Sequence, residues 1–355
     1  LETFSITFDD PALDESDFQR SVVDALGTRH AALRARTADV GAAFPELVWH
    51  VDTPIVRTAP APMMLLAGRV RDAGYKVVLT GEGADEMLGG YDIFKEAKIR
   101  RFWARDPRSS IRPRLLRRLY PYQANLQAQP DAYLRAFFHV DEHDVADPLF
   151  SHLPRFRLGR QLRALFSTDV RAALDSHDPL DELRGELPPQ FSTWDPLAQA
   201  QYLESTILLP GYILSSQGDR AAMARSIEGR FPFLDANVIQ LAARMPASQK
   251  MRVLDEKHAL RRAAKDIVPD AVLRRKKQPY RAPDAAAFFG DDAAGDPRRA
   301  WIGDVLSPEN VRASGVFDDV AVHKIVDKAR RGAALSVRDN MAIVFVLSTL
   351  LLARA

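Results

Sequence analysis

The sequence predicts a small α/β front end, with a parallel sheet and helices on both faces, followed by a largely helical portion. Three observations carry this. Up to about residue 92, short β-branched or aromatic runs alternate with helical patterns, and strands separated by helices pair in parallel. Beyond that point strand signals nearly vanish. A glycine-rich loop, TGEGADEMLGGY (80–91), follows directly on the apolar run Val77-Val78-Leu79.

Residues 3–8 alternate in the manner of a strand. Asp14-Glu15-Ser16 precedes a helical pattern over 18–26 that Gly27 ends. A second strand is expected at 30–35 and a helix at about 40–51. Pro60 and Pro62 open the next helix, with Met63, Leu66, Ala67 and Val70 at helical spacing and Gly74 at its end. Residues 76–80 are expected as a buried strand. Helices follow at about 93–104, 111–119, 130–138, 195–208, 212–224, 235–244, 256–267 and 337–353. Residues 140–190, rich in Pro, Asp and His, are expected as irregular connections or short helices, and 282–300 as a mobile loop. Two parts result: an α/β part over 1–92 and a mainly helical part over 93–355.

Bulk composition excludes several classes. Apolar residues at 46% and charged residues at 27% are ordinary for a globular protein. The 49 basic and 47 acidic side chains leave a net charge of +2, with no general attraction for nucleic acid or anionic lipid. No apolar run reaches the ~18 residues of a membrane helix; the longest, 341–353, contains Ser348 and Thr349. No secretory signal pattern is present, and a cytoplasmic location is the default expectation. Cysteine is absent, so the chain offers no disulfide, zinc–thiolate site or cysteine nucleophile. The chain opens at Leu1 and enters a strand pattern at once, which reads as a fragment or processed chain.

Between Lys95 and Arg118 ten basic residues face only Glu96 and Asp106. A nucleic-acid patch is one reading. A solvated helix pair or a docking face for an acidic partner is the other. The second is preferred, because no nucleic-acid motif accompanies the stretch.

The glycine loop is not G-x-G-x-x-G, because its sixth position is Glu86, and no G-K-[ST] makes it a P-loop. It still lies at the carboxyl end of a parallel strand, where open α/β sheets bind ligands. Glycine lets backbone amides approach a nucleotide closely. Its acids then take other tasks: one holding Mg²⁺ against phosphate, one serving as a general base. A tight turn into a helix N-terminus, where acids favour the dipole, is the alternative at this level.

Two further stretches accompany the loop: SSQGDRAAMARSIEGRFPFLD (215–235) and EKHALRRA (256–263). Together the three blocks resemble the synthetase half of glutamine-hydrolysing asparagine synthetases. The pattern there runs roughly S-G-E-G-x-D-E-x-x-G-G-Y, then D-R-x-x-M-x-x-x-x-E-x-R-x-P-F-L-D, then K-x-x-L-R. This chain has Thr80 for the serine, then Gly81 to Glu86 and Gly89-Gly90-Tyr91. It has Asp219-Arg220, Met223, Glu228, Arg230 and Pro232 to Asp235, and finally Lys257, Leu260 and Arg261. The opening LETFSITFDDPALDES is similar to the strand after the nucleotide loop of that family, so the resemblance spans about residues 1–280.

The resemblance implies a parallel sheet of the ATP-pyrophosphatase (adenine nucleotide alpha-hydrolase-like) type, with 1–92 as its nucleotide-binding part. It implies ATP and Mg²⁺ as cofactors. A carboxylic acid, aspartate or an analogue, is adenylated with release of pyrophosphate. Ammonia from a glutaminase domain then attacks, giving an amide and AMP. Two anions must meet in the first step, and Mg²⁺ and a lysine relieve that repulsion. By resemblance Asp85 ligates Mg²⁺, Lys257 contacts the α-phosphate or departing pyrophosphate, and Glu82 accepts a proton as ammonia attacks. Ile6, Thr80 and Gly81 hold adenine and ribose through their backbone. Asp219, Arg220 and Arg230 lie near the acceptor pocket, and Glu86 is a further candidate substrate contact. QPYRAP (278–283), after the basic run 274–277, is either a flap that brings Lys276 or Lys277 to the phosphates or a solvated turn.

The chain also departs from the family. The nucleotide loop S-G-G-x-D-S is absent from the sequence and is expected upstream of Leu1, with a second Mg²⁺ ligand. The glutaminase is absent too. A missing N-terminal half is therefore the expected partner, packing beside the strand at 3–8; a homo-oligomer is compatible with this. Rival readings are a β-lactam or lasso-type cyclase, a tailoring amidotransferase on another acid, and a non-catalytic partner subunit. Glu82 favours ammonia attack over β-lactam closure, and the intact set Glu82, Asp85 and Lys257 argues against a non-catalytic subunit.

Overall fold

The computed structural model describes residues 1–290 and 296–354. Strands β1 (Glu2–Phe8) and β2 (Arg29–Ala35) pair in parallel, with Glu2 opposite Arg29 and Phe8 opposite Ala35. Helix α1 (Ser16–Leu26) makes the crossover that parallel pairing requires, and Gly27 ends it in the left-handed region (φ +60°). The alternation of β1 decides its faces. Ile6 and Phe8 are buried with Ala35. Ser5, on the opposite face, donates to Gln19 of α1 at 2.7 Å. None of the residues of α1 is buried, so its contact with β1 is polar rather than a packed layer.

Helices α2 (Thr37–Val51) and α3 (Pro60–Asp72) follow, the latter with proline in its first turn. The apolar face of α3 supports strands from two places. Leu66 packs with Ile6 and Phe8. Ala67 and Val70 pack with Phe4 of β1, with Val78 and with Ile227. Val78 belongs to β3 (Val77–Leu79), which pairs in parallel with β4 (Glu228–Arg230). The expected single sheet is thus two two-stranded sheets, β1-β2 and β3-β4, resting on one helix. The expectation that β3 is buried is also corrected. Val77 is 47% and Leu79 73% exposed, because among the described residues β3 has one neighbour and an open outer edge. β4 was not anticipated, since Glu-Gly-Arg carries no β-branched signal.

The helical portion follows expectation in its longer elements: α5 (Asp92–Ala104), Asp131–Phe137, Ala236–Arg244, and Val337–Leu352. The predicted helix at 111–119 is a 3₁₀ helix, Arg112–Arg118, and the one at 256–267 shortens to His258–Ala263. Short helices fill much of 140–190. The stretch 95–118 is in part a buried ion-pair network rather than a solvated face. Lys95 lies 2.7 Å from Glu256 and 3.1 Å from Asp92, and buried Arg100 donates to the Phe150 carbonyl at 2.9 Å.

A break was expected between 208 and 212, around Pro210-Gly211. Instead helix Pro196–Leu203 runs directly into a π-helix, Glu204–Asp219, and then into Arg220–Met223. Proline removes a donor and crowds an α-helical turn; the wider i→i+5 ladder carries the chain through it.

The largest core sets Val337–Leu352 against α2 and the helix Asp319–Arg330, which sequence patterning did not anticipate. Phe44 of α2 meets Phe288 edge-on with ring centres 5.0 Å apart. Burying such a side chain contributes about 1.5–3 kcal/mol. Ala285, Ala287 and Phe288 belong to this core, so the front of the expected mobile loop at 282–300 is anchored; residues 291–295 lie outside the described residues. Among the described residues no helix is long and apolar enough to cross a membrane.

Candidate active site

After β3 the chain turns through residues 80–83 into the short helix α4 (Ala84–Leu88). Gly83 has φ +91°, and a Cβ there would collide with the side chain of Leu234, so the turn needs glycine. At Gly90 a Cβ would strike Asp85 Oδ1 and come within 2.7 Å of Lys257 Cε. Gly90 therefore lets the backbone close around one particular ion pair.

That pair is part of a triad. Asp85 is 8% exposed. Its Oδ1 lies 2.9 Å from Lys257 Nζ and its Oδ2 2.9 Å from Lys277 Nζ. Burial pushes the Asp85 carboxyl up, but Lys277 and Lys257 together outweigh burial and hold it below its ordinary value. Burial lowers the Lys257 ammonium, Asp85 opposes that and Lys277 adds to it, and the net is a lowered value. Lys277 Nζ also stands 5.7 Å from the centre of the Tyr91 ring.

A single buried carboxylate positions both lysines. Glu256 Oε2 lies 2.7 Å from Lys95, while its Oε1 accepts from Arg261 at 2.6 Å and from the backbone N–H of Lys277 at 3.0 Å. Lys257 is its chain neighbour, in the left-handed region at φ +49°. Such a conformation costs of order 1 kcal/mol and persists where the surroundings enforce it. Burial raises the Glu256 carboxyl, but Lys95 and the Lys277 N–H bring it below its ordinary value.

Glu82 accepts a hydrogen bond from Thr80 Oγ1 and lines a cavity of about 520 Å³ with Gly81, Asp85, Glu86, Lys257 and Lys277. Glu86 accepts from Tyr91 Oη at 2.7 Å. Burial nevertheless raises its carboxyl above the ordinary value.

Other residues line the same cavity. Arg155 Nη2 donates to Tyr120 Oη at 3.0 Å, and Tyr120 donates to Glu96 at 2.5 Å. The Arg155 side chain is 44% accessible although it lies deep in the protein, because its accessible surface faces the cavity. Glu204 is 3% exposed. Its Oε1 lies 3.3 Å from His152 Nε2, and its Oε2 has no hydrogen-bond partner among the described residues. The hydroxyls of Tyr212 and Tyr280 also have none, and burial raises both phenols. The π-helix brings Glu204, Leu208, Tyr212, Ile213 and Gln217 to the cavity. The wider i→i+5 turn keeps residues thirteen positions apart on this one face.

The predicted residues therefore divide. Gly81, Glu82, Asp85, Glu86 and Lys257 converge on the cavity. Thr80 stands behind Glu82. Asp219 ends the π-helix, and its carboxyl is raised by burial and then by Glu228 and Glu82, so it lies within electrostatic reach of Glu82. Arg220 is turned away, donating to the Val51 carbonyl and lying 3.9 Å from Asp52. Arg230 is 62% exposed and pairs with Glu228 at 2.8 Å. Ile6 is in the β1 core, its carbonyl accepting from Gln19 at 2.9 Å. Of the two lysines proposed from QPYRAP's basic neighbour, Lys277 reaches Asp85. Sequence reasoning missed Arg155, Glu204 and Tyr212 and did not single out Tyr280, although Tyr280 lies within the QPYRAP stretch expected as a flap.

Among the described residues no group of three or more His, Cys, Asp or Glu side chains is close enough to cage a metal. Mg²⁺ carried in on phosphates needs only one or two protein carboxylates. Asp85 fits that lesser demand, with both oxygens now held by lysines.

The family model for asparagine synthase matches residues 1–353. A putative glutamine-hydrolysing asparagine synthetase of Mycobacterium tuberculosis (strain ATCC 25618 / H37Rv) is 30% identical over 94% of this chain and 48% of its own length. Glutamine-hydrolysing asparagine synthetase 1 of Bacillus subtilis (strain 168) is 27% identical over 80% of this chain and 42% of its own. Amidase chyE of Penicillium rubens is 27% identical over 93% of this chain and 49% of its own. The chain spans about half the length of the curated relatives it matches.

Proposed function

The chain belongs to the asparagine synthase family, and from that premise we propose that it is the synthetase part of an ATP-dependent amide-forming enzyme. It adenylates a carboxylic acid, aspartate or an analogue, and ammonia then displaces AMP to leave the amide. The observation that carries this reading is the Asp85 triad beside Glu82. Two ammonium groups sit 2.9 Å from one buried carboxylate, at a glycine loop on the end of a strand.

The chemistry follows from the charges. The acceptor carboxylate attacks the α-phosphorus and pyrophosphate leaves. Lys257 and Lys277 turn from Asp85 to the phosphate oxygens and stabilise charge as it develops. Asp85, so released, is the carboxylate available to a phosphate-borne Mg²⁺, which would neutralise further negative charge. Glu82, hydrogen-bonded to Thr80, takes a proton from ammonia as it attacks the acyl carbon.

The remaining nucleotide contacts and the ammonia source come from an upstream segment. Two features support this: the relatives are about twice as long, and among the described residues β1 and β3 each have an open edge while sharing the α3 core. A strand laid along such an edge satisfies its backbone groups. Robust ATP–pyrophosphate exchange by the chain alone would rule this completion out.

Glu82→Gln, assayed with the upstream segment supplied, tests the central role. Acid-dependent pyrophosphate exchange should persist while amide formation falls about 10²–10⁴-fold, the range for a lost general base. Equal loss of both steps would remove Glu82 from the proton transfer.

A further inference from the structure

We propose that Arg155 and Glu204 are the acceptor-recognition pair, Arg155 taking an anionic group of the acceptor and Glu204 its ammonium. The proposal rests on the cavity being a carboxylate-activating site. Two opposite charges that share one cavity ordinarily pair. Here Glu204 is close enough to act on Arg155 electrostatically, yet no ion pair joins them among the described residues. Arg155 bonds instead to the Tyr120 hydroxyl, with Glu96 at 4.0 Å, and leaves accessible surface toward the cavity. Glu204 is buried, and its Oε2 finds no donor. A buried carboxylate oxygen without a donor is costly unless a ligand supplies one.

The lining sets the pose. Glu86, bonded to Tyr91 beside Lys277, shares the cavity with Lys257, Glu204 and Arg155. A ligand there meets both cationic and anionic groups, and a zwitterion with two anionic groups complements them. Its reacting carboxylate lies at the lysine end, its ammonium against Glu204, and its second anion on the guanidinium, which binds a carboxylate through two parallel donors. The unpartnered hydroxyls of Tyr212 and Tyr280 offer further hydrogen bonds to the same ligand.

Calorimetric titration of the chain with L-aspartate, succinate and 3-aminopropanoate tests this without relying on turnover. The wild type should bind L-aspartate about 10- to 100-fold more tightly than either analogue, the range for a lost hydrogen bond to a charged group. Glu204→Gln should erase the preference for L-aspartate over succinate while keeping that over 3-aminopropanoate. Arg155→Gln should do the reverse. Glu204→Asp and Arg155→Lys, which keep the charge, should restore part of each preference if the first variants fold poorly. A wild type that binds succinate as tightly as L-aspartate overturns the proposal. So does uniform weakening of all three acids by both variants. Selective binding by the chain, without pyrophosphate exchange even when the upstream segment is supplied, would uphold the subsite and sink the activation reading instead.

Discussion

The two ends of the cavity handle charge in opposite ways. At the loop the two buried carboxylates that hold the lysines are matched by cations: Asp85 by Lys257 and Lys277, Glu256 by Lys95 and Arg261. At the far end Arg155 and Glu204 face the same space without pairing. A matched cluster keeps its lysines charged and beside the loop until phosphate oxygens take them over, which suits groups that stabilise charge in the chemical step. An unmatched pair leaves its attraction to be satisfied by a ligand, which suits recognition. The contrast separates the residues that perform the step from those that choose its substrate.

The strongest way to break the matched end is Asp85→Asn. It leaves two ammonium groups facing each other without their anion. Losing one partner of a buried pair costs about 3–5 kcal/mol, and the low end, ~3 kcal/mol in urea unfolding, is expected because the lysines keep partial solvent contact. A loss under ~1 kcal/mol would mean that charge does not hold this end together. The same group predicts an acid response. The folded-state value of Asp85 lies below its unfolded one. Its contribution is therefore complete above about pH 4 and is lost as pH falls through the folded value. The wild type should lose stability relative to Asp85→Asn below about pH 4; parallel acid profiles would contradict this.

A smaller effect is expected at Gly90→Ala. The added methyl meets Asp85 Oδ1 and Lys257 Cε, and overpacking of this kind typically costs about 1–3 kcal/mol. Pyrophosphate exchange should fall with it; an unchanged rate would show that the triad can shift freely. The smallest effect belongs to Arg230→Ala. Its pair with Glu228 is more than half exposed, so a stability change of at most ~1 kcal/mol is expected, with acceptor affinity unaltered. A selective loss of acceptor affinity would return Arg230 to the site.

The matched end was largely legible in the sequence, and the unmatched end was not. Glu82, Asp85 and Glu86 sit within one short loop, so their proximity is local and the glycines announce the turn. Lys257 is distant in sequence, but it belongs to a recognisable block. Lys277 was visible only as one cation of a basic run; its role depends on Glu256, which fixes it through a backbone N–H. Arg155 lies in a stretch without periodicity, and only tertiary packing turns it toward the cavity. Glu204 fell inside the helix expected over 195–208 without being singled out, and the i→i+5 ladder of 204–219 sets which residues share its face. The strands show the same divide. β1 and β2 carry their own alternation, while the three-residue β4 exists only because β3 pairs with it. Arg220 and Arg230 stand beside well-marked motif positions, yet they serve α2 and β4 rather than the cavity.

The most direct measurement of carboxylate adenylation follows an oxygen atom. The acceptor acid is supplied with ¹⁸O in its reacting carboxylate, together with ATP, ammonia and the upstream segment. If the carboxylate attacks the α-phosphorus, each amide formed leaves one labelled oxygen in AMP. Label in inorganic phosphate, with ADP as the nucleotide product, would mean attack at the γ-phosphorus and would contradict the assignment of this cavity.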